Sequence, residues 1–428
     1  MKPLKNLLIF SILTLTSCSS IQKNNPILEN RLSELLQNKR FFSLKQELNE
    51  DMNELSEDKI LFYKAQVENA FCNGEQSNEY AELLLKKYKT NFNDTLLIKL
   101  LSTTANNYVR DYQYKKASET YKTILEQYDN VLDSSEIESY KNVYQLFGTL
   151  ESVKPQQIHK TDNTTIPSYR NRFNHLMTPV KSGQIEDEFI FDTGANLSTI
   201  SDSYAHKMGL KIYESNINVG SATEIDIQTK LAVADSLYVG DILFENVVFL
   251  VAPDKQLSFP SVNYEIHGII GFPVIRQMNE IRIQNDGTIK VPKVSQDRKL
   301  NNMFMDGLTP VVQMFSQNDT LLMIFDTGAK ETELYQNYYE KHKTQIESNS
   351  ELQDAQQGGA GGIVDVKSYT LKDFPYTIGT KSNTLPKISI TISESSSEAT
   401  FNGNLGQDIF TQFNDMILNF EYMYLDFE

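Results

Sequence analysis

Histidine and cysteine are scarce in this chain, and neither is clustered. Its 428 residues hold five histidines and two cysteines. His159, His175, His206, His267 and His342 are too scattered to write a metal-ligand spacing, and no H-E-x-x-H occurs. No G-x-S-x-G and no phosphate-binding loop is present either. Basic clusters are also missing: 40 Lys and Arg stand against 56 Asp and Glu, for a net charge of −16. A polyanion-binding face needs clustered cations, so nucleic acid is excluded as the expected partner. With 40% hydrophobic and 11% aromatic residues the chain can still bury real cores, and its length favours two or more domains.

The N-terminus, MKPLKNLLIFSILTLTSCSS, has a charged start at Lys2 and Lys5 and an apolar stretch from Leu7 to Leu15. That stretch is too short to span a bilayer, and small polar residues follow it, so residues 1–17 are expected to be an export signal. L-T-S-C resembles the lipobox of bacterial lipoproteins. The resemblance implies lipidation of Cys18 after signal removal, a tether over 18–26, and anchoring in the bacterial cell envelope. Ser19 rather than Asp follows the Cys, which in that family favours the outer membrane. A lipidated Cys18 would leave Cys72 unpaired. Cys72 lies in an apolar-periodic stretch without a nearby His, which predicts a buried structural thiol.

Residues 27–153 read as successive helices, with apolar residues at three- and four-residue steps and almost no Pro. The stretch from Leu61 aligns with that from Leu101 at an offset of 101 − 61 = 40, matching Ala65 with Ala105, Leu84 with Ile124, Leu85 with Leu125 and Tyr88 with Tyr128. DYQYKKASETYKTILEQY resembles a tetratricopeptide repeat. Such an array could bind a protein partner or act as a spacer from the membrane. Residues 154–168 are polar, contain two prolines and predict a linker. Beyond them, short alternating segments such as NVVFLVAP, KISITIS and MILNFEYMYLDF predict antiparallel β structure.

The β region repeats itself. FIFDTGA and MIFDTGA place Asp192 and Asp326 at a spacing of 326 − 192 = 134. Each copy begins with a Thr-Pro strand (Thr178-Pro179, Thr309-Pro310) and passes a small-residue segment, near Gly220 and Ser221 in one and Gly358 to Gly362 in the other. Each then reaches an apolar-Gly pair, Ile270-Gly271 or Leu405-Gly406, lying 79 and 80 residues after its Asp. A helix-like stretch and a final hairpin close both. An apolar strand delivers each Asp to a low-dielectric place, where two adjacent carboxylates cannot both ionise cheaply; one becomes an acid and the other a base. Such a pair can activate water and protonate a carbonyl or leaving amine. Thr193 and Thr327 can brace the turns, Gly194 and Gly328 permit tight backbone, and Ala195 and Ala329 leave room beside the carboxylates.

D-T-G-A in an apolar strand, a downstream apolar-Gly pair and a Gly-rich hairpin between them resemble the retropepsin-like aspartic peptidases. Two motifs in one chain resemble the pepsin-like duplication. The resemblance covers about 169–428 and implies a mostly β bilobal fold, lobes 169–295 and 296–428, with the Asp pair at their junction. The expected architecture is therefore multidomain, an all-α helical repeat followed by this β fold. It further implies flap tips at Gly220, Ser221, Gly359, Ala360 and Gly361, an extended peptide or exported protein as substrate, an active site complete in one monomer, and no metal or organic cofactor. Asn196 and Lys330 stand where retroviral members often carry Asp, and no flap tyrosine is evident. The Ser or Thr that can follow D-T-G and acidify the carboxylate is absent, which predicts a mildly acidic to near-neutral optimum. The alternative is an inactive peptide-binding or scaffold lipoprotein of the same fold.

Overall fold

A computed structural model describes residues 24–220, 227–359, 362–392 and 400–428. Its N-terminal part is helical: α1 (Pro26–Gln37), α2 (Phe41–Asp51), α3 (Glu57–Ala70), α4 (Gly74–Tyr88), α5 (Asp94–Arg110), α6 (Tyr114–Gln127) and α7 (Ser134–Thr149). Local chemistry sets their ends. Asn25 and Asn93 accept first-turn N–H groups through their side chains, and Asp133 and Glu136 form a reciprocal capping box on α7. Turns α1–α2, α3–α4 and α5–α6 each contain one left-handed residue, Lys39, Cys72 and Tyr112. The following N–H (Arg40, Asn73, Gln113) bonds a carbonyl in the last turn of the preceding helix at 2.8 Å, so these turns end their helices without Gly. Cys72 and Tyr112 are 112 − 72 = 40 apart, the offset read in the sequence. Ala65 and Ala105 are fully buried where helices pack, as are Leu84 and Ile124. Cys72 is half-buried rather than buried, because it occupies a turn and not a helix interior.

The remainder is mostly strand. Two large sheets share a five-strand order. In the first, Leu176–Ser182, Ile185–Phe191, Gly268–Ile270, Ser198–Ser201 and Ile242–Ala252 are successive neighbours; in the second they are Thr309–Ser316, Asp319–Phe325, Gly403–Leu405, Glu333–Leu334 and Lys381–Ile392. The strand leading to each Asp runs parallel to the strand of its apolar-Gly pair, with Phe191 opposite Ile270 and Phe325 opposite Leu405. Fully buried Phe189, Phe191, Phe244 and Phe249 fill the first core, and Phe304 and Phe325 lie in the second. A separate five-stranded sheet joins the halves: Glu280–Gln284 pairs with Asp415–Asn419, so the closing hairpins of the two halves form one sheet.

The segment expected as a linker, 154–168, contains two short strands. Gln157–His159 adds an edge strand on Ile242–Ala252, and Thr164–Ile166 adds one to the joining sheet against Ile289–Val291. Polar three-residue strands carry no periodic signal of their own; the neighbouring edge recruits them. The helices pack directly on the β region. Phe41 and Phe42 pack on Phe304 with ring centroids 5.1 and 5.7 Å apart, and Lys39 pairs with Asp306. The α5–α6 turn seats on the short helix Phe272–Gln277: Tyr112 donates to Pro273 O at 2.7 Å, and Arg276 donates to Arg110 O at 2.9 Å. Among the described residues no helix is long and apolar enough to cross a membrane.

Candidate active site

Each Asp leaves the end of its strand at a sharp turn whose backbone is already committed. Asp192 N–H bonds Ile270 O at 3.0 Å, and Asp326 N–H bonds Leu405 O at 3.2 Å. The turn residues then bond across the two halves. Thr193 N–H donates to Thr327 Oγ1 and Thr327 N–H donates to Thr193 Oγ1, both at 3.0 Å. Thr193 Oγ1 in turn donates to Phe325 O at 3.1 Å, and Thr327 Oγ1 to Phe191 O at 2.9 Å. Both threonines are essentially sealed, at 0% and 1% exposure, so these four bonds are made away from competing water. They hold two loops 134 residues apart in one arrangement.

That clamp brings the two carboxyls into hydrogen-bonding contact. Gly194 N–H bonds Asp192 Oδ1 at 2.8 Å, and Gly328 N–H bonds Asp326 Oδ1 at 2.7 Å. The glycines are required by close approach: a Cβ on Gly194 would lie 2.6 Å from Asp326 Cγ, and one on Gly328 would lie 2.6 Å from Asp192 Cγ. Burial pushes Asp192 well above the ordinary carboxyl range, and the charge and hydrogen bond of Asp326 push the same way, against backbone N–H groups of Gly194 and Ala195. Two carboxyls so placed share a single proton.

The apolar-Gly pairs buttress the turns. Phe272 N–H bonds Ala195 O at 2.8 Å, and Gln407 N–H bonds Ala329 O at 3.0 Å. A Cβ on Gly271 would strike Leu197 C at 2.6 Å, and one on Gly406 would strike Glu331 C at 2.5 Å. Gly271 N–H donates to Ser198 Oγ and Gly406 N–H to Thr332 Oγ1. The sequence reading missed these two hydroxyls, although their spacing, 332 − 198 = 134, equals that of the aspartates.

Not every sequence-predicted residue comes to this cluster. Gly220 follows the strand Lys211–Val219 with no described residue against it, and Gly359 ends Gln353–Gly359 opposite Gly362. Ser221, Ala360, Gly361 and Cys18 lie outside the described residues. Asn196 reaches the other half, accepting from Thr309 Oγ1 at 3.2 Å, while Lys330 is exposed beside Glu331.

The surroundings of the two aspartates differ. Asn404 Nδ2 donates to Asp326 Oδ2 at 3.4 Å, a long bond, and Gln407 Nε2 bonds Thr327 O at 2.8 Å. The equivalent residues of the first half, Ile269 and Phe272, are apolar. Glu333 is enclosed within electrostatic reach of Asp326; burial raises its carboxyl above the usual value, and Asp326 adds to that, against a bond from Thr391 Oγ1. His175 is bonded to Tyr264 Oη at 2.8 Å, and burial lowers its imidazole while Asp326 opposes the shift. Nothing in the spacing of Asn404, Glu333 or His175 marked them, because sheet register and a loop contact bring them close.

A family model described as Aspartyl protease matches residues 178–274, the half that contains Asp192. No curated protein matches the chain.

Proposed function

Starting from an aspartyl-protease-type segment over residues 178–274, we propose that the chain is an aspartic endopeptidase whose second carboxylate, Asp326, comes from its own C-terminal half. The observation that carries this reading is the reciprocal Thr193–Thr327 clamp, which sets Asp192 and Asp326 in contact. A binding module has no need of two abutting carboxyls, whose mutual repulsion destabilises the fold unless a proton is shared.

We assign the shared proton to Asp192 and the negative charge to Asp326, because Asn404 Nδ2 faces Asp326 Oδ2 where the first half has the apolar Ile269. A water between them gives its proton to Asp326 as its oxygen attacks the scissile carbonyl carbon, while Asp192 protonates the carbonyl oxygen. The tetrahedral diol then collapses: Asp326 passes its proton to the amide nitrogen, the C–N bond breaks, and a diol proton returns to Asp192. The products are a carboxylic acid and an amine, and the dyad regains its single proton. Substrate is an extended peptide lying across the junction of the halves.

Lipidation at Cys18 and residence in a bacterial envelope, with exported protein as substrate, belong to the same proposal and rest on the L-T-S-C motif. The test is cleavage of a peptide library across pH by the parent chain, Asp192→Asn and Asp326→Asn. The reading requires cleavage by the parent alone. Survival of cleavage in either variant refutes the dyad, and peptide binding without cleavage by the parent favours the inactive-module alternative. Fatty-acid labelling of the parent but not Cys18→Ala tests the anchor.

A further inference from the structure

The two halves use the same backbone frame around their aspartates, but one pair of facing residues changes character. In the first half Ile269 pairs with Thr199 across antiparallel strands; at the corresponding place in the second half Asn404 pairs with Glu333. Directly opposed residues of neighbouring strands point to the same face of the sheet, with Cβ atoms about 5 Å apart. The Asn404 and Glu333 side chains therefore share the face that Asp326 meets.

Asn404 has an unfinished hydrogen-bond inventory. Its Nδ2 faces Asp326, while its Oδ1 is buried and has no donor among the described residues. A buried amide oxygen needs a donor. An ionised carboxylate at Glu333 could only accept; a protonated one could donate. Glu333 Oε2 already takes the Thr391 hydroxyl at 2.8 Å, which fixes the carboxyl group in place.

Resting on the dyad reading above, we propose that Glu333 is a positioning residue that, when protonated, donates to Asn404 Oδ1 and so keeps the Asn404 amide turned with its N–H toward Asp326. Loss of the Glu333 proton reverses the preference. The carboxylate then attracts Nδ2 to itself, the amide turns over, and its oxygen faces the Asp326 carboxylate instead of a donor. Asp326 loses a bond that favours its charged form, and the dyad loses the asymmetry between acid and base.

Several described groups bear on Glu333. Asp326 stands at the end of the strand Asp319–Phe325, with Asp192 beyond it, and the Asp326 carboxylate opposes ionisation of Glu333. On the strand Lys381–Ile392, Thr391 touches the carboxyl, and Lys387 lies on the same face toward the rim, 3.7 Å from Glu331. On the helix Gln336–Asn349, which packs against that strand, His342 and Lys341 are paired with Asp319, and Tyr339 with Glu347. Burial accordingly dominates, and the Glu333 carboxyl is raised.

The experiment combines a pH–rate profile with a titration that needs no turnover. For peptide cleavage, E333Q carries a permanent donor and is expected to move the alkaline limb of the profile upward relative to the parent. In an N404L background, which restores the apolar character of Ile269, exchanging Glu333 for Gln is expected to leave the limb where it is. An unmoved limb in E333Q, or a shift that persists with N404L, overturns the proposal. Carboxyl-labelled glutamate NMR on the parent, with the Glu333 resonance assigned by its loss in E333Q, is expected to show titration above the usual glutamate range. The Asn404 side-chain amide signal should move with the same midpoint. An ordinary midpoint, or an amide that ignores it, overturns the proposal as well. Should the parent cleave no peptide, the peptidase reading fails while the NMR titration still decides the role of Glu333.

Discussion

Replacing Thr193 separates the clamp's hydrogen bonding from its packing. Thr193→Val keeps the side-chain volume but removes the hydroxyl, stripping Phe325 O of its donor and Thr327 N–H of its acceptor in a place with 0% exposure. Each of the two orphaned buried groups costs about 1–3 kcal/mol, so the substitution should destabilise by roughly 2–6 kcal/mol. Thr193→Ser keeps both bonds and loses one buried methyl, about 1 kcal/mol. For a β region of this size each kcal/mol lowers Tm by roughly 2–4 °C. Scanning calorimetry should therefore show the β transition of Thr193→Ser only a few degrees below the parent, and that of Thr193→Val clearly lower. The order is the test, since valine is the closer match in shape. If Thr193→Val melts at or above Thr193→Ser, the clamp is a packing contact and its bonds carry no stability. Thr327→Val should behave alike, and the double variant should cost less than the sum because the four bonds form one network.

Three further outcomes can be measured. Gly194→Ala and Gly328→Ala would each put a Cβ 2.6 Å from the opposite carboxyl carbon. Each should lower kcat by at least ~100-fold, as misplacement of reacting groups by about 1 Å does, while circular dichroism stays unchanged; normal turnover would refute the close approach. Asn142 on α7 bonds both the N–H, at 3.2 Å, and the carbonyl of Asn218, two residues before Gly220. Asn142→Ala should speed hydrogen exchange at the Asn218 amide by about 5–30-fold, the equivalent of 1–2 kcal/mol, and unchanged protection would show that the helices do not restrain this hairpin. Burial alone would raise the Asp426 carboxyl, but bonds from Thr380 and Arg298 outweigh it and hold it below its ordinary value. Its contribution is thus present above the unfolded-state pKa and lost as pH falls through the lower folded value. Asp426→Asn should cost about 1–3 kcal/mol at pH 7, by removing a charged bond to Arg298, which keeps Glu428, and less at pH 3. Equal losses in urea unfolding at both pH values would refute the pairing.

Periodicity and local strings made several features legible. The helices over 26–149 follow from apolar spacing and cap chemistry acting within a few residues. Each I-F-D-T-G-A announces a buried strand ending in a turn. The matched offsets of Asp, Thr, Gly and the apolar-Gly pairs gave two turns of one design, and the same offset would have yielded Ser198 and Thr332.

Other features depend on partners distant along the chain. Thr164–Ile166 is a strand because Ile289–Val291 presents an open edge, and Tyr112 matters to the β region because Pro273 O lies where its hydroxyl reaches. Sequence alone determined that two like aspartates end two like strands, since that depends on local residue type. Only tertiary structure decided that they meet, that four threonine bonds hold them, and that Asn404 and Glu333 attend Asp326 alone. The physical reason is register. Which side chains share a sheet face is set by how strands 70 or more residues apart align, as with Glu333 and Asn404, and short-range propensity contains no term for that alignment.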